Sequence, residues 1–299
     1  MQPPPAAPRV VKLEEGTGQA ARHSKDFSSR RSWLGRAALA AASAWIGDLS
    51  RPLVAAERSS QWPFEVTAGL FRIHADFEIS AKAELLSELD RLSGDVTKLL
   101  ELNLPQTMVH VVIFSSAEEY RRYMAHYYPA LPERRALFIQ QRGTGMLFAH
   151  RHADLATDLR HETVHAILND RTDPLPLWLD EGLAEYFEVP AADRWSGHTH
   201  LIELQALEGH APRSNLETLE ALEQVSGMRS EHYRDAWSWI HFLLHRRMST
   251  RRILVAHLRQ LRAARPAPPL SRTIAAQIPN WREEFSDHFQ RVPSVAKAS

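Results

Sequence analysis

A chain of 299 residues, 44% hydrophobic and 24% charged, has the composition of a soluble globular protein with a sizeable core. Its 36 basic and 36 acidic side chains cancel, leaving no electrostatic footprint for nucleic acid or an anionic membrane. The absence of cysteine excludes disulfides, thiol catalysis and cysteine-ligated zinc, so a metal would have to be held by histidines and carboxylates.

The chain opens on a leader, residues 1–56. Residues 1–28 are rich in Pro, Ala and charge without an apolar period, a composition that predicts disorder. Ser29-Arg30-Arg31-Ser32-Trp33-Leu34-Gly35 follows, and then an alanine-rich run from Ala37 to Ile46, too short and too weakly apolar to span a membrane. This stretch resembles a twin-arginine export signal, S-R-R-x-F-L-K, with Trp33 as the aromatic and Gly35 in place of the lysine. Val54-Ala55-Ala56 offers small residues for cleavage. The resemblance implies a periplasmic or other extracytoplasmic protein, with the leader removed or kept as an N-terminal membrane anchor. Asp48 and Arg51 count against it, and the competing reading is a leader with an accidental Arg-Arg pair.

Residues 57–150 read as the sheet-containing half of a catalytic domain. Strand-like residues from Phe64 to Ile79 surround Gly69 and predict a strand or hairpin. Leu85, Leu86, Leu89, Leu92, Val96, Leu99 and Leu100 recur at helical spacing within Ala81–Leu102. Thr107–Phe114 reads as a buried strand, after which Ser115 or Ser116 can cap a helix carrying Tyr120, Tyr123 and Met124. Ala136–Gln141 and Met146–His150, joined through Gly143-Thr144-Gly145, read as a hairpin.

Residues 151–265 read as a helical half. A helix capped by Asp154 and running to about Asn169 carries Leu155, Leu159, Val164, Ala166, Ile167 and Leu168 over most of its wheel, so it should be largely buried. Within it, Arg160-His161-Glu162-Thr163-Val164-His165 places two histidines four apart, one above the other on one face. Two imidazoles can thus aim at one metal, while Glu162, about 100° round the helix, can reach a metal-bound water without ligating the metal. Core histidines satisfied by backbone carbonyls are the competing reading. Downstream, Pro174-Leu175-Pro176 precedes Leu177-Trp178-Leu179-Asp180-Glu181-Gly182-Leu183-Ala184-Glu185-Tyr186-Phe187, a second helix with Glu181 in its early turns. A catalytic zinc takes three protein ligands and an open position, and His161, His165 and Glu181 make a known type of set. Gly182 would let this helix pack close against the histidine helix.

These two stretches resemble the gluzincin zinc metallopeptidases, in which H-E-x-x-H is followed on the next helix by a W-x-x-E-G-x-A-type motif. The resemblance spans about residues 158–187. Within that group the chain looks most like exported bacterial proteins of unknown substrate described as peptidase-MA-like. It implies a zincin-like α+β fold: a small mixed sheet, the active-site helix, and a mainly helical C-terminal half. It also implies one Zn2+ per chain, Glu162 as the base, and hydrolysis of a peptide or protein substrate. In aminopeptidase-type gluzincins a tyrosine opening a later helix donates to the oxyanion, and Tyr233 in His232-Tyr233-Arg234-Asp235 holds that place, although the flanking residues differ from Y-E-K-G. The competing reading gives Tyr233 a core ring and a wet hydroxyl. In zincins an edge strand ahead of the metal helix pairs with substrate. Gly145-Met146-Leu147-Phe148-Ala149 stands there and lacks the glutamate of the aminopeptidase G-A-M-E-N strand. That lack implies an endopeptidase favouring apolar side chains at the scissile bond. Glu185 and Asp158, one turn from ligands, are candidates to orient the histidines. A zincin-fold protein that binds a partner without cleaving it is the alternative function, and a closed non-catalytic metal site a further one.

After Phe187, Leu201–Leu207, Leu216–Leu222 and Ala236–His245 read as helices, and His198, His200, His210, His241 and His245 as surface or core histidines. Residues 266–299 read as the end of a proline-rich linker (Arg265–Ser271), a short helix from Trp281 to Phe289 and a polar tail.

Overall fold

The computed structural model describes residues 62–78, 83–141, 144–169, 174–207, 215–265 and 267–293. The leader, its export signal and His210 lie outside the described residues. Strands β1 (Phe64–Ala68) and β2 (Phe71–Ala75) form a hairpin turning at Gly69, whose φ of 54° favours glycine. Helix α1 (Ala83–Leu100) follows, burying Leu86, Leu89, Leu92, Val96 and Leu100 along one face. Then come β3 (Val109–Phe114) and α2 (Ala117–Tyr127), capped by Ser116, whose hydroxyl accepts from the Glu119 N–H at 3.2 Å. Strands β4 (Ala136–Gln141) and β5 (Thr144–His150) complete a five-stranded mixed sheet in the order β1-β2-β3-β5-β4. The three inner strands are parallel and the two outer ones antiparallel to their neighbours.

Strand alternation splits the core. Val109, Val111, Ile113, Leu147 and Ala149 pack with the helices of the main core, whereas Val112, Phe114, Met146 and Phe148 pack with Tyr120 of α2 on the opposite face. The helical half runs α3 (Leu155–Leu168), α4 (Leu177–Phe187), α5 (Thr199–Gln205), α6 (Leu216–Glu220), α7 (Ser230–His245), α8 (Met248–Arg262), α9 (Leu270–Gln277) and α10 (Trp281–Arg291). The architecture is mixed α/β with a mainly helical C-terminal half. Among the described residues no helix is long and apolar enough to cross a membrane.

Several expectations are corrected. Strand β5, which contains Gly145–Ala149, is not an edge: it lies between β3 and β4, and its buried run Gly145–Ala149 is what an interior strand requires. The edge beside α3 is β4. Gly182 does not face the histidine helix. A Cβ there would meet the Ala236 carbonyl oxygen at 2.9 Å and Ile240 Cγ1 at 3.0 Å, so the missing side chain brings α4 against α7. Asp154 occupies the N-cap position of α3 without a capping bond, because its carboxylate pairs with Arg135 at 2.7 Å. The proline-rich stretch 265–271 is not all linker: α9 starts at Leu270, whose side chain is fully buried. Helix α8 lies outside the segments that the apolar pattern marks as helical, because its buried Ile253, Leu254 and Leu258 are interleaved with arginines.

Candidate metal centre

Helix α3 is held between the sheet and the other helices by Leu159, Val164 and Ile167, all fully buried, and this fixes which way its remaining face points. That face carries His161 and His165, whose ring centroids lie 4.9 Å apart. Helix α4 brings Glu181 to the same point. Glu181 Oε2 is 3.6 Å from His161 Nε2 and 3.9 Å from His165 Nε2. It is also buried without a hydrogen-bond partner, an arrangement that normally costs about 1–3 kcal/mol. Ligands about 2.1 Å from a tetrahedral zinc stand about 3.4 Å from one another. Glu181 Oε2 is within about half an ångström of that spacing from both rings, all three ligand atoms lie within 4.8 Å of one another, and a small divalent cation that draws them together would satisfy the orphaned oxygen.

The outer nitrogens of both rings face carboxylates. His161 Nδ1 donates to Glu188 Oε2 at 3.0 Å, leaving the Nε2 lone pair for the metal. His165 Nδ1 lies 3.1 Å from Asp180 Oδ2, and Asn169 Nδ2 fixes that carboxylate from 3.2 Å. Glu188 is itself anchored: its carbonyl accepts from Arg160 Nε at 2.5 Å, and His198 Nε2 lies 3.4 Å from its other carboxylate oxygen. Burial works to raise the Glu188 pKa, but hydrogen bonds from His161 and His198 outweigh it and hold the group at about 2. Burial likewise works to lower both histidines. The nearby Glu181 carboxylate and the Glu188 hydrogen bond instead lift His161 well above its ordinary range, and Asp180 lifts His165 to about 9. Without metal these rings hold protons that a metal would have to displace.

Glu162 is buried, and its Oε2 accepts the Phe138 N–H of β4 at 2.7 Å. Tyr233 stands in the first turn of α7, half-buried; burial, then the negative charge of Glu181, raises its pKa. The structure thus brings His161, His165 and Glu181 to one point, with Tyr233 in electrostatic reach of Glu181 and Glu162 bound to the edge strand.

Neither expected orienting residue bonds an outer ring nitrogen, although Glu185 stands close to His161 and acts on it through its charge. Asp158 pairs with Arg135 at 2.9 Å and His152 at 3.2 Å, and Glu185 takes His200 Nε2 at 3.0 Å. Their places are filled by Asp180, adjacent to Glu181, and by Glu188, two turns after it. Glu185, His198 and His200 also cluster closely enough for a cation. However, His198 Nδ1 accepts the His200 N–H at 3.1 Å, and its Nε2 donates to the Glu185 carbonyl at 3.0 Å. With both nitrogens engaged, this trio is a buttress behind Glu188. His241 and His245 belong to the core around α7. A cleft of about 320 Å3 between Trp62, Phe114 and Tyr123 lies on the α2 side of the sheet, away from His161 and His165.

A family described as a protein of unknown function (DUF1570) matches residues 154–268, which run from the cap of α3 to just past α8 and include the three clustered side chains. No curated protein matches the chain. Among solved structures it is similar to the M1 zinc metallopeptidase from Deinococcus radiodurans, at 16% identity and a TM-score of 0.45, over 75% of this chain and 50% of that one. The chain thus spans half the length of that structure.

Proposed function

We propose that this protein is a zinc-dependent peptide-bond hydrolase of the gluzincin type, acting outside the cytoplasm. The observation that carries the reading is the convergence of His161 Nε2, His165 Nε2 and the unpaired Glu181 Oε2, with a carboxylate behind each ring. A zinc ion held there would lower the pKa of a bound water toward about 7 and polarise a scissile carbonyl. Glu162 has one oxygen tethered to Phe138, which leaves the other to take a proton from the attacking water and pass it to the leaving amine. The Tyr233 hydroxyl keeps its proton at neutral pH and donates it in a hydrogen bond to the developing oxyanion. An extended substrate adds to the edge strand β4 as one more strand, pairing with the backbone groups that the Phe138–Glu162 bond leaves free.

The corrected edge strand still argues against capture of a free N-terminus. Its sequence, A-L-F-I-Q-Q, has no acid, and a desolvated amine without a partner would cost several kcal/mol. Cleavage is therefore expected within extended segments.

The test is incubation of the zinc-loaded protein with a peptide library read by mass spectrometry. Products should appear, should not require a free α-amino group, and should fall by several orders of magnitude in Glu162→Gln. Strict dependence on a free N-terminus would make the protein an aminopeptidase, and full activity in Glu162→Gln would remove Glu162 as the base. The location rests on Arg30, Arg31 and Trp33 and is tested separately. Changing both arginines to lysine in a reporter fusion should retain the reporter in the cytoplasm, and equal export of both forms would contradict the signal.

A further inference from the structure

Arg134 lies two residues ahead of β4 and is half-buried. Its guanidinium hydrogen-bonds the Tyr233 hydroxyl and acts electrostatically on Glu181 and Tyr120. The same side chain lines a pocket of about 240 Å3 together with Tyr120, Arg121, Arg135 and His150. The pocket's Glu133-Arg134-Arg135 wall leads directly into β4, the strand whose Phe138 N–H is bound by Glu162 at 2.7 Å.

The other two arginines of the pocket are matched by acids: Arg121 by Glu133 at 3.6 Å, and Arg135 by Asp154 at 2.7 Å and Asp158 at 2.9 Å. Among the described residues no carboxylate comes within ion-pair distance of Arg134, and the free oxygen of nearby Glu181 is turned to the histidines. A partly desolvated cation without an anion does not help the fold, and beside a metal centre it opposes the cation that the site is built to take. Its planar fork is shaped to take a carboxylate through two parallel hydrogen bonds.

We propose that Arg134 receives a carboxylate of the bound peptide, so that the protein selects substrates with an acidic group close to the scissile bond. This rests on the hydrolase reading above. The carboxylate is either an Asp or Glu side chain or the C-terminus of the substrate. The competing role for Arg134 is only to hold the Tyr233 hydroxyl, and the two roles separate experimentally.

The experiment takes a cleaved peptide and makes two neutral versions, one with its acidic side chain changed to the amide and one with an amidated C-terminus. For the parent protein, Arg134→Met and Arg134→Lys, kcat and KM are measured separately. Peptide affinity is measured on zinc-loaded Glu162→Gln with and without the Arg134 changes. In the parent background, neutralising the recognised carboxylate should weaken binding and kcat/KM about 10- to 100-fold, and the version that shows the loss identifies its source. In Arg134→Met the charged and neutral peptides should bind alike, with Arg134→Lys recovering part of the preference. Indifference of the parent to both neutralisations would overturn the proposal. So would an Arg134→Met loss confined to kcat and equal for all three peptides, since that is the signature of support for Tyr233 alone. If the parent cleaves nothing, the hydrolase reading fails, and the same affinity comparison is then made on library peptides retained by the zinc-loaded chain, which still decides whether Arg134 reads a carboxylate.

Discussion

Two groups of histidines lie in the same helical half and are driven in opposite directions. His161 and His165 face Glu181, Glu188 and Asp180, and these anions outweigh burial and favour the charged form of both rings. His241, His245 and His288 are packed among Trp195, Trp237, Phe242 and Phe289. Their hydrogen-bond partners are the Trp195 carbonyl, the Tyr186 hydroxyl and one another. His241 Nε2 must donate to that carbonyl, and with burial keeping both rings neutral its Nδ1 accepts from His288 Nε2 at 2.9 Å. Burial pushes His241 well down, His245 to about 4 and His288 to about 3. The residue type is the same in both groups, so the neighbours decide its chemistry. Carboxylates prepare an imidazole for a cation, whereas aromatic rings turn it into core.

The contrast is sharpened first by removing the charge behind one ring. Glu188→Gln keeps a side-chain oxygen within reach of His161 Nδ1 but loses the anion, and zinc affinity should fall about 10- to 100-fold, read by competition with a chromophoric chelator. Unchanged affinity would mean that the carboxylate does not tune the site. A second effect is expected from acid. The neutral group has folded-state pKa values below the ordinary value of about 6.5, so the unfolded chain binds more protons and stability falls as pH drops from about 6.5 toward about 4. Each such group contributes a slope of about 1.4 kcal/mol per pH unit over that span. His288→Phe should flatten this slope in urea unfolding at pH 7 and pH 5, and an undiminished slope would show that His288 is not held neutral. The metal-free centre has the opposite sign. Its raised pKa values stabilise the fold below about 6.5, and that stabilisation is lost as pH rises through about 9, the position of His165.

How much of this was legible follows from what spacing can fix. The helix period alone aligns His161 with His165 and sets Glu162 beside them. Glu181 was readable because two prolines and an apolar pattern announce a new helix one short loop later. Glu188 and Asp180 were not, because which carboxylate reaches an outer ring nitrogen depends on how α3 crosses α4, and that angle is set by packing. Hence turn spacing points to Glu185 and Asp158, whose hydrogen bonds go to His200 and Arg135, with Glu185 reaching His161 through its charge alone. The β4–β5 hairpin was visible, but not which arm lies outermost, since chain order places β5 nearer α3 while the sheet places β4 at the edge. Gly182 was recognised as a close approach but assigned to the wrong neighbour, a choice that only tertiary packing makes.

The central claim is that His161, His165 and Glu181 form a three-ligand metal centre. Its most direct measurement is metal analysis of the purified, folded chain after zinc loading and removal of excess, beside the same chain carrying Glu181→Ala. The account predicts about one zinc per chain in the parent and essentially none in the variant, with both showing the same helical content. A folded parent that retains no zinc, or a Glu181→Ala chain that retains as much as the parent, would contradict it.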